Sequence, residues 1–408
     1  MPTASSHKPK WFIILLIAGF LLQLGWYGMI FYQAVSQESY QRKLDFVSFY
    51  TAGRIARIGD WSNVYDMQRE LTIQNSIAGE SLPMDEFLPY NHPPLLLPFQ
   101  AWMAVDDYSQ AFLYWIFIRG LLILIAGFWI FRMVRRLGWD CFSSWFFTIE
   151  CLLFYPVFIG LIKGQDTSLA LLGLVVCLSG LVRSNDMESG LGLSLLLIRP
   201  QLALPLSLPF IFKRRKIWWW FLAGAVLLGL YSVLMVKWQG VLDFLNQLAI
   251  SANGEMVAIH SFAMYNLKGM LIRSFPVLET TVIPVITWAA YLLTIVIICV
   301  WWARSTDIHP RQFGLAVILV LFVSPHLHHH DLALLLIPII VLCIELVRLY
   351  KLTSLGAAVL LMGITYYMAV ILLTPINYSG TYLMMILLAG GLWVVGKSPT
   401  VLLPEKEN

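Results

Sequence analysis

Charged residues are scarce in this chain of 408 residues: Asp, Glu, Lys and Arg together make up 12% of it, whereas hydrophobic residues make up 59%. So few charges cannot cover the water-facing surface of a globular protein of this length. The composition therefore excludes an ordinary soluble domain. It indicates a polytopic membrane protein, in which lipid replaces water around much of the surface.

Cysteine and net charge are also low. The five cysteines lie in or beside apolar runs, so no disulfide framework is predicted; they are Cys141, Cys151, Cys177, Cys299 and Cys343. The formal net charge is only +4. Lys and Arg beside the apolar runs account for this excess, so we expect contacts with membrane lipids and no nucleic-acid partner.

Apolar runs recur along nearly the whole chain. A helix that crosses a bilayer needs about 20 mainly apolar residues. The sequence therefore predicts an all-α, polytopic transmembrane helical bundle. Its spans, about ten by the same criterion, are expected at residues 11–33, 108–134, 142–159, 167–182, 217–236, 281–303, 313–323, 332–347, 355–373 and 382–395.

Lys and Arg near the ends of these runs predict the orientation, because such residues are usually retained in the cytoplasm. Both termini are then cytoplasmic, and the basic residues on that side lie at 7–10, 132–136, 183, 213–216, 304–311, 348–351 and 397. The scheme requires residues 190–212 to form a re-entrant pair of half-helices, broken at Arg199-Pro200-Gln201. We expect one integral-membrane domain, residues 1–408, in a bacterial cell membrane.

Two long outer loops follow from this topology, residues 34–107 and 237–280. In the first loop, residues 44–58 have the pattern of a helix that lies in the membrane interface and ends at Gly59. The second loop is expected either to shape the entrance for an acceptor or to be a plain surface; its polar residues include Asn246, Asn253, His260, Tyr265, Asn266 and Lys268.

The conspicuous polar residues converge on the outer face in this scheme. They are Asp45, the pair Gln165-Asp166, and the cluster that runs from His326 through His328, His329 and His330 to Asp331. The aspartates have a simpler interpretation as helix caps, and the histidines as a hydrated boundary. Ionisable residues beside spans often mark a substrate path. The spacing lacks an HExxH pattern, so no metal and no cofactor are predicted.

Several ordered blocks resemble glycosyltransferase family 87, a group of GT-C integral-membrane enzymes that includes phosphatidylinositol-mannoside mannosyltransferases. The blocks are Leu44 to Gly53, Val64-Tyr65-Asp66, Tyr90-Asn91-His92-Pro93-Pro94, Gly164-Gln165, Arg199-Pro200-Gln201 and Ser324-Pro325-His326 through His330-Asp331. The similarity covers about residues 11–373, and the order of the blocks carries it. It implies a GT-C type bundle.

The resemblance also implies a polyprenyl-phosphate sugar donor, a lipid or glycan acceptor, and transfer of a hexose, most often mannose, at the outer face. It implies Asp45 as the catalytic base. Two departures are present. Leu327-His328-His329 replaces a segment that often contains Trp and Ser, which leaves the catalytic role open between His326 and His330. Arg199 replaces a common lysine.

The chemistry of such a transfer needs a base for the acceptor hydroxyl and positive charge or hydrogen-bond donors near the phosphate. A single displacement would invert the anomeric carbon. The candidate catalytic residues are Asp45 and His330. The candidate donor and phosphate ligands are Lys163, Gln165, Arg199 and His326, and the candidate sugar or acceptor ligands are Tyr50, Tyr90, His92, Asp166 and Asp331.

Two other classes of function remain open from the sequence. A transporter or flippase of lipid-linked saccharides would also need a polar path among apolar helices, although no internal repeat is apparent. A non-catalytic assembly or anchoring protein would use the same outer residues to hold a partner protein. Changing Asp45 distinguishes these classes, because only an enzyme needs its carboxylate for sugar transfer.

Overall fold

The computed structural model describes residues 10–84, 86–253, 261–374 and 377–396, and over these residues the chain is all-α, with no strand. The basic residues His7, Lys8 and Lys397, and His260 of the second predicted loop, lie outside the described residues. The helices are α1 Lys10–Ser36, α2 Glu38–Gln41, α3 Phe46–Arg57, α4 Met67–Ala78, α5 Leu97–Met103, α6 Tyr108–Arg136, α7 Cys141–Leu152, α8 Tyr155–Lys163, α9 Thr167–Val182, α10 Asp186–Leu195, α11 Pro200–Ser207, α12 Arg215–Asn253, α13 Leu267–Ser274, α14 Val282–Arg304, α15 Pro310–Val323, α16 Leu336–Tyr350, α17 Ser354–Leu372 and α18 Asn377–Gly396.

Six helices in the described part of the chain are long and apolar enough to cross a membrane, or seven if the bent pair α7 and α8 forms one span. The predicted count of about ten is therefore not confirmed. Two predicted spans, α9 and α15, are only 16 and 14 residues long. At 1.5 Å per residue, α9 rises about 24 Å, less than the hydrocarbon core of a bilayer. Nearly all of α9 is buried, so it forms part of the protein core.

Residues 190–212 fold as two half-helices with the break predicted from the sequence. α10 ends in a short 3-10 turn, Arg199 has a non-helical backbone, and α11 begins at Pro200. The two ends of the segment meet, because Nε of Arg214 donates to Oδ1 of Asp186 over 2.9 Å. The break at Arg199 therefore lies at the tip of a helical hairpin. Its insertion into a membrane stays a prediction.

The first predicted loop contains the helix expected at residues 44–58, which the structure confirms as α3. Protein covers this helix on nearly all sides, since ten of its 12 residues are buried, and α5 packs closely along it. A Cβ atom on Gly53 would lie 2.4 Å from the carbonyl oxygen of Gln100. The predicted position of this helix in the membrane interface stays a prediction.

The second predicted loop begins at a break within α12. Lys237 has φ +58° and ψ 176°, a backbone conformation that glycine adopts far more readily than lysine. The helix resumes after this residue and continues to Asn253, so much of the predicted loop is helical. Phe244 and Leu248 of this second half of α12 line the cavity described next.

Candidate active site

A cavity of about 520 Å³ collects most of the polar residues that the sequence singled out. It lies among the start of α3, the segment before α5, the turn between α8 and α9, the tip at Arg199 and the histidine cluster. The predicted residues that line it are Asp45, His92, Lys163, Gln165, Arg199, His326 and His330, and His328 and His329 join them. Segments far apart in the sequence thus share one polar chamber.

Asp45 stands immediately before α3, at its N-cap position, and is half-buried at the cavity wall. Its carboxylate makes no capping hydrogen bond. The backbone carbonyl of Asp45 accepts instead from the hydroxyl of Ser48 over 3.1 Å. The simple interpretation of Asp45 as a helix cap therefore does not account for its carboxylate, which is left to face the cavity.

Gly164 brings the turn between α8 and α9 against the start of α3. Its φ is +89°, and a Cβ atom at this position would lie 2.6 Å from Cβ of Phe46. The indole Nε1 of Trp115 donates to the carbonyl of Gly164 over 2.8 Å and fixes the turn from the other side. Lys163 and Gln165 flank this glycine, so the contact places them on the same cavity wall as Asp45.

Two side chains of α4 hold the segment that carries His92. Gln74 exchanges two hydrogen bonds with the backbone of Leu88, at 2.7 and 3.1 Å. Glu70 accepts from the backbone N–H of Tyr90 over 2.6 Å. Burial raises the pKa of Glu70 to about 8, against the lowering effect of the bond from Tyr90. Side chains thus replace the backbone partners that this proline-rich segment lacks.

Arg199 is the centre of a buried ion network behind the cavity wall. Its Nη2 lies 2.7 Å from Oδ1 of Asp166, and its Nε lies 3.2 Å from Oδ1 of Asp331. Both carboxylates are almost completely buried. Burial alone would raise the pKa of Asp166, but Arg199 and His92 lower it to about 2. Asp166 therefore stays ionised, and the charge of Arg199 is matched by two carboxylates.

Of the late histidines, His330 is buried and His326 is partly buried, and both imidazoles are electrically neutral near pH 7. Burial lowers the pKa of His326 and of His330 well below the usual value, and neighbouring imidazoles and Arg199 lower it further. Nε2 of His330 lies 3.5 Å from Oδ2 of Asp331. These imidazoles can accept or donate hydrogen bonds, but they add little positive charge to the cavity.

Four of the predicted sugar or acceptor ligands do not line the cavity. Asp166 and Asp331 lie behind it on Arg199. Tyr90 is completely buried, and its hydroxyl is 3.4 Å from the carbonyl of Pro93. Tyr50 donates to the carbonyl of Val105 over 2.8 Å and lines a different, more open cavity. In this structure these residues support the site rather than form its surface.

An apolar part of the cavity wall comes from the second predicted loop and α14. Its residues are Phe244, Leu248, Ala263, Met264 and Trp288. Two residues of the second predicted loop also form hydrogen bonds with the backbone of the segment that carries the late histidines. The amide of Asn266 donates to the carbonyl of Ser324 over 2.6 Å, and the backbone N–H of Tyr265 donates to the carbonyl of Leu327 over 2.9 Å. The cavity thus has both polar and apolar lining residues.

Sequence reasoning missed Arg119, which is completely buried in α6. Its Nη1 donates to the carbonyls of Gly160 and Gln165, each over 3.1 Å, and so fixes both ends of the turn at Gly164. A lone arginine within a long apolar run was the available signal, because an ionisable residue inside a membrane helix usually has a specific partner.

The comparisons with known proteins agree with the expected family. A family model for glycosyltransferase family 87 matches residues 90–325, more than half of the chain. The match includes His92, Lys163, Gln165 and Arg199, whereas Asp45 and the histidines from His326 onward lie outside it. No curated protein matches the chain. No solved structure matches it either.

Proposed function

The chain belongs to glycosyltransferase family 87, and from this membership we propose that it transfers a hexose, mannose in the first instance, from a polyprenyl-phosphate carrier to a hydroxyl of a lipid or glycan. Family membership makes it a membrane glycosyltransferase. The nature of the sugar, carrier and acceptor is our proposal, as is the placement of the reaction at the outer face of a bacterial membrane. The observation that carries it is the mixed lining of the cavity, which offers polar groups to a sugar phosphate and apolar side chains to its lipid.

Asp45 is the proposed base. Its carboxylate lines the cavity and is not used as a helix cap. In the reaction the acceptor oxygen forms a bond to the anomeric carbon while the bond from that carbon to the phosphate oxygen breaks. The proton of the acceptor hydroxyl passes to Asp45, and the electron pair leaves with the phosphate. One displacement of this kind inverts the anomeric centre.

The phosphate needs positive charge or hydrogen-bond donors as the bond breaks. Lys163 is the best placed cation, because it lines the cavity and has no ion-pair partner within the described ranges. Gln165 and the neutral His326 and His330 can supply hydrogen bonds. The apolar wall that includes Phe244 and Trp288 is suited to the first isoprene units of the carrier.

Replacing Asp45 by Asn tests this function. The Asp45→Asn protein should bind the donor but form product at least about a hundredfold more slowly, since a positioned base typically contributes a factor of about 10² to 10⁴. Product formation from polyprenyl-phosphate mannose and a lipid extract is measured by mass spectrometry. Donor binding is measured separately, as protection of the detergent-solubilised protein against thermal unfolding.

Asp243→Asn is the matched control, because Asp243 bonds to Gln239 on α12 and does not line the cavity. It should leave product formation unchanged. Equal activity of the Asp45→Asn protein and the wild type would refute the role of Asp45. Movement of intact lipid-linked sugar across vesicle membranes, without a new glycosidic bond, would instead indicate a transporter.

A further inference from the structure

His92 differs from the other imidazoles of the cavity because charged side chains hold one of its ring nitrogens. Nδ1 lies 3.0 Å from Oδ2 of Asp166 and 2.9 Å from Nη1 of Arg199. The ring of Phe49 packs against the imidazole with 4.6 Å between centroids. Since Nδ1 faces the buried ion network and His92 lines the cavity, Nε2 is the nitrogen left for a substrate.

Nδ1 of His92 has a partner whether or not it carries a proton. A protonated Nδ1 donates to Asp166, whose ionised carboxylate is an acceptor only. An unprotonated Nδ1 accepts from Arg199, whose guanidinium is a donor only. Nε2 carries a proton in the cationic imidazole and in the neutral form that accepts from Arg199. In two of its three states, therefore, His92 presents an N–H to the cavity.

Arg199, by contrast, is poorly placed to bind a phosphate directly. Its guanidinium already binds Asp166 and Asp331, two buried carboxylates. A phosphate that approached this group would meet one cation and two anions. Breaking either pair would also leave a buried charge uncompensated, which is costly. A guanidinium that two carboxylates already hold is suited to positioning a neighbouring side chain, here His92, and not to binding the phosphate itself.

On the basis of the proposed function, we propose that Nε2–H of His92 binds the phosphate of the lipid carrier, and that Arg199 and Asp166 position His92 for this contact. An anionic phosphate accepts hydrogen bonds but cannot donate them when it is ionised. Its arrival therefore selects the states of His92 with a proton on Nε2. Lys163 supplies the neighbouring positive charge, and Asp45 acts separately on the acceptor. The structure thus assigns Arg199 a positioning role.

The test compares binding of a short-chain prenyl phosphate with binding of the matching prenol, which lacks only the phosphate. Both are measured as competitors of donor turnover by the full-length protein in detergent. We expect His92→Phe, which keeps a ring against Phe49, to bind the prenyl phosphate about tenfold to a hundredfold more weakly than the wild type. This is the loss of affinity expected when one hydrogen bond to a charged group is removed. Affinity for the prenol should not change.

His92→Gln should retain more of the phosphate preference than His92→Phe, because its side-chain amide can place an N–H near the position of Nε2. Where turnover is too low for competition, binding is read as thermal protection by the prenyl phosphate. His309→Gln is the control, since His309 caps α15 away from the cavity, and it should behave as the wild type.

Arg199→Lys separates positioning from direct contact. If Arg199 acts through His92, the double variant Arg199→Lys/His92→Phe should bind the prenyl phosphate no more weakly than His92→Phe alone, whereas independent contacts would give additive losses. If Arg199→Lys does not fold, the two His92 variants still decide the role of His92. An unchanged phosphate preference in His92→Phe overturns the inference. A wild type without any preference for the phosphate overturns the proposed function itself.

Discussion

Gly164 shows how one small residue places two parts of the site. Its positive φ disfavours any side chain, and its Cα faces the backbone of Phe46 at a distance that leaves no space for a Cβ atom. The carbonyl of the same residue accepts from Trp115. Asp45 immediately precedes Phe46 in the sequence, and Lys163 immediately precedes Gly164. Their separation in space therefore depends on the absence of a side chain at position 164.

We expect Gly164→Ala to reduce both stability and sugar transfer. The added methyl group would force the turn away from Phe46, at a cost of about 1 to 3 kcal/mol for overpacking. Thermal unfolding in detergent measures the first effect, and the rate of product formation measures the second. Loss of activity should exceed what the loss of folded protein explains, because the turn moves Lys163 and Gln165 relative to Asp45.

Gly138→Ala is a close control for this change. Gly138 has a similar φ of +85°, but a Cβ atom there would meet nothing within 4 Å. It should therefore show the cost of the backbone conformation alone and leave the activity of the folded protein intact. If both variants lose activity equally, the contact with Phe46 does not position the site.

The residues of the site were predictable to different degrees. Asp45, Lys163, Gln165 and the late histidines could be proposed because polar residues are conspicuous beside apolar runs. The partners of Arg199 could not be predicted, since Asp331 is 132 residues away in the chain and no local pattern encodes such a contact. For the same reason the sequence suggested a phosphate contact for Arg199, where the structure shows two carboxylates.

Among the helices, α4 has a supporting function that its sequence pattern does not predict. It caps itself with Asp66 and then uses Glu70 and Gln74, one turn apart, to bind the backbone of residues 88–90. This second set of contacts fixes the extended segment that leads to His92. The hydroxyl of Tyr65 completes it by donating to the carbonyl of His92 over 2.9 Å.

The buried carboxyl of Glu70 should make stability depend on pH. Burial raises its pKa to about 8 from 4.5. Between these values the folded protein keeps a proton that the unfolded chain releases, so its contribution to stability is fullest below pH 4.5 and declines as the pH rises to about 8. We expect Glu70→Gln to flatten the fall in unfolding temperature across this range, as measured in detergent.

Glu80→Gln is the comparison for this prediction, because Glu80 is exposed just beyond α4. It should leave the pH profile as in the wild type. The explanation fails if Glu70→Gln and the wild type lose stability in parallel between pH 5 and 8. The amide of the glutamine can still accept from Tyr90, so the variant removes the charge while keeping that contact.

Helix positions were easier to predict from sequence than the role of each helix in the bundle. Apolar periodicity located α3, α6, α14 and α17 with small errors in their ends. It could not show that α9 and α15 are largely buried inside the protein, because a buried core helix and a membrane helix are equally apolar. Burial within the fold, which depends on the other helices, separates the two classes.

Across the protein, the cavity and the basic cluster of Arg132, Arg136 and Arg183 lie far apart. α6 connects them: Arg119 contacts the turn beside the cavity, whereas Arg132 and Arg136 at the other end lie near Arg183. Arg132 follows Arg119 by 13 positions, which corresponds to a rise of about 20 Å. Basic residues usually mark the cytoplasmic side, so this separation supports an outer location for the site.

This orientation can be tested by labelling two cysteines in intact cells with a maleimide that does not cross membranes. Glu80→Cys places a thiol in the first predicted outer loop, and the native, exposed Cys141 reports on the basic end of the bundle. Cys299→Ser removes the partly exposed thiol of α14, and the other three cysteines are buried. We expect the thiol introduced at position 80 to react in intact cells and Cys141 to react only after permeabilisation.

The control protein retains Glu80, so its labelling measures Cys141 alone. Reaction of Cys141 from outside, with protection of the thiol at position 80, would place the cavity on the cytoplasmic side. The donor would then have to be available in the inner leaflet, and the proposal of transfer at the outer face would be wrong. If the thiol at position 80 reacts in intact cells and Cys141 does not, the carrier would have to present its sugar phosphate from the outer leaflet. The apolar wall containing Trp288, on a helix that is itself a candidate span, is where its lipid would then enter the cavity.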